Sequence, residues 1–212
     1  MQDCLDRLRY PLIGFFHWLY PRRIGTRKLL PFYLNHHHLL GEGAEIGVQR
    51  GAFSEHILRY WKGRCLHCVD PWGYLGPVDY SEPNDAASVR DREFHQACHD
   101  ETVARLKPFG LRAQLHRTTS TEAAGKFADG SLDFAFIDAR HDYESVKADI
   151  AAWHPKIRKN GLLSGHDWSL DYGPPHYGVK KAVTEFASRT GLKLLVSADL
   201  ESWFIPNTTD KT

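Results

Sequence analysis

From residue 41 onward, short apolar runs alternate with stretches whose apolar residues recur at helical spacing, the pattern of a parallel sheet flanked by helices. Ala44 to Gly47 reads as a first strand, followed by a helix from Ser54 to Trp61 with Ser54 as its N-cap. Strands are predicted at 65–69, 113–116, 132–137, 162–165, 193–197 and 202–205, and helices at 102–109, 121–127 and 179–189. The clearest helix carries Val146, Ile150, Trp153 and Ile157 on one face, with Asn160-Gly161 as its stop. These elements make an open, doubly wound α/β fold with a mostly parallel seven-stranded sheet. In such sheets ligands bind beyond the carboxyl ends of the strands, where the strand order reverses.

Two segments break the alternation. Residues 71–92, rich in Gly, Pro, Asp and aromatics, follow the second strand directly, and loops this long in a compact domain are commonly lids. Together with the segment from Trp168 to Tyr177 they are expected to close over the ligand face. The other segment is the N-terminal extension, residues 1–40, set before an α/β domain at 41–212. It carries six Lys/Arg against two Asp, whereas the remaining residues carry twenty-one against twenty-four.

Composition narrows the function classes. The net charge of +1 gives no global field for nucleic acid, so no nucleic-acid partner is expected. No apolar run approaches the roughly 20 residues of a membrane-spanning helix, and no secretory signal is legible, so the expected location is cytoplasmic. Four cysteines in 212 residues are too few for a disulfide scaffold. Cys65-x-x-Cys68 lies in a strand, where positions three apart face opposite sides, and reads as buried structural thiols. The run His36-His37-His38 has no carboxylate partner nearby and reads as solvated surface.

The candidate chemistry sits at strand ends. Glu45-Ile46-Gly47-Val48-Gln49-Arg50-Gly51 is a glycine turn leading into a helix, which lets a ligand approach the backbone. A dinucleotide site would need G-x-G-x-x-G, and from Gly41 and Gly43 that spacing puts Ile46 where the third glycine belongs. Asp70 ends the second strand, where a carboxylate accepts hydrogen bonds from ribose hydroxyls. Further along come Ile137-Asp138-Ala139-Arg140-His141-Asp142-Tyr143-Glu144 and then Gly165-His166-Asp167.

The E-x-G-x-x-x-G turn and the pair of I-D-x-x-H-x-Y and G-H-D motifs resemble class I, Rossmann-like methyltransferases that depend on S-adenosylmethionine. The branch resembled includes metal-dependent O-methyltransferases of sugars and natural products. Asn160-Gly161 stands where that branch has a double glycine, and Ala139-Arg140 replaces its usual spacer. The resemblance spans residues 41 to about 205. It implies a cofactor site at Glu45, Gly47, Gly51, Asp70 and Thr119-Ser120, with Trp72 against adenine. Thr119-Ser120 reads equally well as a helix cap.

Asp138 and Asp167 end strands expected to be neighbours, and His166 adjoins one of them. Two carboxylates and an imidazole suit a hard divalent cation, Mg²⁺ or Mn²⁺. Such an ion lowers the pKa of an acceptor hydroxyl, and His141 is the expected general base. Tyr143, Trp153, Trp168 and Tyr172 read mainly as packing, with Trp168 and Tyr172 the better candidates for ligand contact. The expected activity is methyl transfer to a hydroxyl of a small molecule, a sugar or natural-product-like acceptor, with a homo-oligomer among the expected assemblies. The rival readings are a nucleoside-binding protein without catalysis, a methyltransferase of RNA or another macromolecule, and an N-terminal arm that anchors to an interface or contacts RNA.

Overall fold

The computed structural model describes residues 26–73, 90–169 and 178–208. Residues 1–25, the expected lid positions 74–89 and 170–177, and Tyr172 among them, lie outside the described residues. Seven strands form one sheet: β1 (Glu42–Ile46), β2 (Cys65–Asp70), β3 (Ala113–Arg117), β4 (Leu132–Ile137), β5 (Ile157–Gly165), β6 (Leu195–Val196) and β7 (Trp203–Pro206). Their spatial order is β3-β2-β1-β4-β5-β7-β6, parallel except for β7, which runs antiparallel to both its neighbours. The order reverses between β1 and β4, so the crevice selected by the strand-end rule opens at Gly47 and Asp138.

Among the described residues, six α-helices cover the two faces: α1 (Leu30–His36), α2 (Ala52–Tyr60), α3 (Arg92–Leu106), α4 (Ser120–Ala124), α5 (Tyr143–Trp153) and α6 (Val179–Thr190). One apolar cluster joins Trp61, Phe134, Phe136 and Phe204 to Leu30 and Leu34 of α1. The other joins Ala135, Ile137 and Trp203 to Val146, Ile150 and Trp153 of α5. Strand β4 is buried along its whole length, which explains its unbroken apolar character apart from Asp133. Asp133 accepts from the Gly41 N–H and from Arg158, and so ties the start of β1 to β5. Helix α1 belongs to the same core as Trp61, which fixes the end of the N-terminal extension against the sheet.

Several expectations are corrected. Helix α2 starts at Ala52 behind Gly51, whose backbone is left-handed (φ 71°), so Ser54 is not its N-cap. Ser54 is fully buried and its hydroxyl donates to Glu45. Helix α3 begins ten residues before the expected Thr102, capped by Asp91, whose carboxylate accepts from the Phe94 N–H. Its buried positions Cys98, Thr102 and Leu106 fall at intervals of four on an otherwise polar sequence. Helix α5 stops at Trp153, before a 3-10 turn containing Pro155, and Ile157 already belongs to β5. Asn160-Gly161 is a mid-strand irregularity, with Asn160 at φ 63°, beside the register shift of β4 against β5. Cys65, Cys68 and Cys98 are free thiols and buried, and His36 to His38 are exposed, as expected.

Candidate active site

The glycine turn is shaped by contact between strand ends. Gly47 has φ 87°, and a Cβ there would lie 2.0 Å from the Asp138 carbonyl oxygen. The Gly47 N–H donates to Val69 and the Asp138 N–H to Ile46, which clamps β1 between β2 and β4 at the crevice. Asp70 locks the same turn. One carboxylate oxygen accepts from the Val48 and Gln49 N–H groups at 3.0 and 2.9 Å, and the other from the Trp72 N–H at 2.8 Å. A carboxylate has about four acceptor positions, so after these three bonds Asp70 keeps capacity for a further donor. Trp72 is buried, and its indole N–H donates to the Gln49 carbonyl at 2.7 Å.

These residues open onto a cleft of about 570 Å³ lined by Glu45, Gly47, Asp70, Trp72, Ser120, Asp138 and His141. The sequence did not single out Arg27, Gln49, Phe94, His95 and Cys98, which also line it. Phe94 and Cys98 carried only a faint signal, a stripe one residue wide that repeats every four residues with Thr102. Arg27 carried none beyond the charge of the extension. Of the pair expected near adenine, Ser120 reaches the cleft, but its hydroxyl donates to Asp149 and accepts from the Trp153 indole. Thr119 caps α4, its backbone N–H and hydroxyl both donating to Glu122. Trp153 and Tyr143 are packing residues, the latter bonded to Glu185.

Glu45 is 1% exposed, and burial pushes its pKa up to about 8, opposed by the Ser54 hydroxyl and by Arg27 and reinforced by Asp138 and Asp70. It is therefore mostly protonated at neutral pH. The unfolded chain ionises Glu45 near its ordinary value while the folded protein does not, so its burial costs stability increasingly as pH rises from about 4.5 to about 8. Glu45→Gln, isosteric with the protonated acid, is expected to raise the melting temperature by an increment that grows between pH 5 and pH 8. Paired thermal melts check this, and an increment independent of pH would mean that Glu45 is ionised in the fold.

The second half of the site gathers at the ends of β4 and β5. The His141 Nε2 lies 2.9 Å from Asp167, and the His166 Nδ1 lies 3.1 Å from Asp167 and 3.7 Å from Asp138. The Arg27 guanidinium donates to Asp138 at 2.8 Å. Burial pushes the Asp138 pKa up to about 6, against the pull of His166. Burial also acts on Asp167, but hydrogen bonds from His141 and His166 outweigh it and hold that carboxyl well below the usual range. The two carboxyls thus have opposite proton affinities within one cluster, a feature common at catalytic sites.

Donor atoms of Asp138, His141 and Asp167 all lie within 4.8 Å of one another, a grouping that could hold a cation. The expected set had His166 in place of His141. Both imidazoles flank the carboxylate pair, yet only His141 also lines the cleft. Its backbone is pinned by the Gly178 N–H, 2.7 Å from its carbonyl. Asp167 itself has φ 60°, a conformation uncommon outside glycine and found often at functional sites. Among the described residues, no helix is long and apolar enough to cross a membrane.

Residues 44–168 match the family described as methyltransferase domain. A curated relative, the uncharacterized protein y4gI of Sinorhizobium fredii, is 40% identical over 74 residues, 35% of this chain. That match spans only 8% of the relative's length. Among solved structures, the O-methyltransferase NovP is similar at 18% identity and a TM-score of 0.61, over 86% of this chain and 78% of its own. An O-methyltransferase from Bacillus cereus, in complex with SAH, gives 12% identity and a TM-score of 0.55 over 85% and 80% of the two chains. TomG of Streptomyces achromogenes, an O-methyltransferase of tomaymycin synthesis in complex with SAM, gives 14% and 0.54 over 85% and 78%. At these identities the structural matches establish the fold, a seven-stranded sheet of the Rossmann-like methyltransferase type.

Proposed function

The chain belongs to the methyltransferase-domain family, and from that premise we propose that it transfers the methyl group of S-adenosylmethionine to a hydroxyl of a small molecule, assisted by a divalent cation. The observation that carries this reading is the single cleft that runs from the Gly47 turn and Asp70 to Asp138 and His141. Its volume lies within the range of small-ligand sites. A nucleoside fits the groups present: Asp70 has acceptor capacity left for a ribose hydroxyl, the turn offers bare backbone, and Trp72, Phe94 and Cys98 supply apolar wall.

Methyl transfer is an in-line displacement at a sulfonium, so the protein's work is alignment and removal of the acceptor's proton. His141 lines the cleft, and because its Nδ1 is buried the proton would be taken at Nε2, which Asp167 holds at 2.9 Å. Asp138 and Asp167 provide hard oxygen donors and His166 adjoins both, so this group fits Mg²⁺ or Mn²⁺. When bound, the ion would acidify and position the acceptor hydroxyl. Arg27 balances the charge of Asp138 from the cleft side.

Calorimetry with S-adenosylhomocysteine, the demethylated product, tests the cofactor assignment. Asp70→Ala is expected to lose about 1.5–3 kcal/mol of that binding, the range for hydrogen bonds involving a charged group. Because Asp70 also holds three backbone N–H groups of the turn, a melt must show that the variant is folded. Unchanged affinity in a folded variant would rule out Asp70 as the ribose ligand. A non-catalytic nucleoside-binding protein would need only the Gly47 and Asp70 half, leaving the Asp138 cluster without a role.

A further inference from the structure

The geometry points to Arg27 as the residue that recognises the carboxylate of the cofactor's amino-acid portion. This assignment rests on the methyl-donor reading above and adds to it a discriminating contact from outside the family-matched residues 44–168. With the ribose at Asp70, the amino-acid end of an S-adenosyl ligand extends along the cleft toward Glu45, Asp138 and Arg27. That end is a zwitterion: its ammonium suits the carboxylate of Asp138, and its own carboxylate, set beside that acid, calls for a cation.

The other arginines of the cleft are engaged elsewhere. Arg50 donates to Glu101 at 2.6 Å and packs over Phe94, on the α3 side. Arg140 pairs with Asp142 at 3.1 Å, and His141 with Asp167. Arg27 makes one hydrogen bond among the described residues, to Asp138, from a guanidinium that has five N–H donors. Its planar fork matches a carboxylate in bidentate geometry.

Arg27 is also rigidly delivered. It opens a 3-10 turn, Arg27–Leu29, capped by the Thr26 side chain, which accepts from the Lys28 N–H. That turn leads directly into α1, whose Leu30 and Leu34 are completely buried. The guanidinium stacks over the Phe53 ring with its central carbon 5.2 Å from the centroid. A side chain that lines the cleft, held by packing beneath and one ion pair beside and 35% exposed, is preorganised for an anion.

The test compares S-adenosylhomocysteine with 5′-methylthioadenosine, which keeps the nucleoside and the sulfur but lacks the amino-acid portion. Arg27→Met preserves an apolar stem on Phe53 and removes the charge, while Arg27→Lys keeps the charge without the fork. Calorimetry is expected to show S-adenosylhomocysteine weakened by about tenfold or more in Arg27→Met, the effect of a lost charge-assisted hydrogen bond. Arg27→Lys should fall between Arg27→Met and the native protein, with 5′-methylthioadenosine within about twofold in all three. Equal losses for both ligands would show that Arg27 acts through the fold of the cleft and overturn the assignment, as would full retention of S-adenosylhomocysteine affinity in Arg27→Met. Native protein that binds neither ligand would overturn the methyl-donor reading itself, and the Arg27 assignment with it.

Discussion

Replacing His141 with Ala is expected to slow methyl transfer by roughly 10²–10⁴, the contribution of a positioned base, while leaving the bound cation in place. Asp138→Ala is expected to abolish cation-dependent turnover and leave the affinity for 5′-methylthioadenosine nearly unchanged, because on the proposed reading the turn at Gly47 and Asp70 holds the nucleoside independently of Asp138. The two phenotypes differ because His141 faces the cleft from behind a 2.9 Å contact with Asp167, whereas Asp138 stands between His166 and Arg27. His141→Ala should also recover part of its rate as pH rises, since an acceptor hydroxyl then ionises without help. Metal stoichiometry and pH–rate profiles on a hydroxylated acceptor that turns over make the comparison. Loss of the cation from His141→Ala with retention in His166→Ala would move His141 into the ligand set, which its 4.8 Å grouping with the two carboxylates also permits. Full activity in chelator-treated protein would remove the cation from the mechanism.

The strand ends that make this site were legible because parallel strands buried on both faces read as apolar runs, and the residue that breaks each run marks its end. Asp70, Asp138 and His166-Asp167 all announced themselves in that way. What the sequence concealed falls into two kinds. Helix α3 is nearly all polar, with a buried stripe only one residue wide, so the periodicity that defines amphipathic helices was too weak to show Phe94 and Cys98 facing the cleft. Arg27 was concealed for a different reason. Its contacts with Asp138 and Phe53 join positions 111 and 26 residues away, and only the tertiary packing of α1 brings them together. The misplaced end of α5 was a local error with a local cause, because Ile157 keeps the helical spacing by coincidence while Pro155 has already ended the hydrogen-bond ladder.

Gly47→Ala is expected to be strongly destabilising, because it combines a left-handed backbone with a clash against backbone atoms. Two effects act there, and their sizes can be separated. The left-handed backbone (φ 87°) by itself costs an alanine about 1–2 kcal/mol. The second effect is steric: the added Cβ would meet the Asp138 carbonyl oxygen at 2.0 Å, its carbon at 2.5 Å and the Ala139 Cα at 2.8 Å. All three are backbone atoms, so relief requires β1 and β4 to part at the crevice, and the 2.7 Å bond from the Asp138 N–H to Ile46 goes with them. Together the effects should exceed about 3 kcal/mol, the level at which a named structural failure is needed, and at about 2–4 °C per kcal/mol for a domain of this size the melting temperature should fall by roughly 6–12 °C or more. Gly191 supplies the control, having φ 70° but no atom within 4 Å of the added Cβ, so Gly191→Ala carries the conformational cost alone. Thermal melts of the two variants, with and without S-adenosylhomocysteine, read both effects. If Gly47→Ala falls no further than Gly191→Ala, the strand ends yield to a methyl group, and the turn is too soft to hold Asp138 and a nucleoside in fixed register.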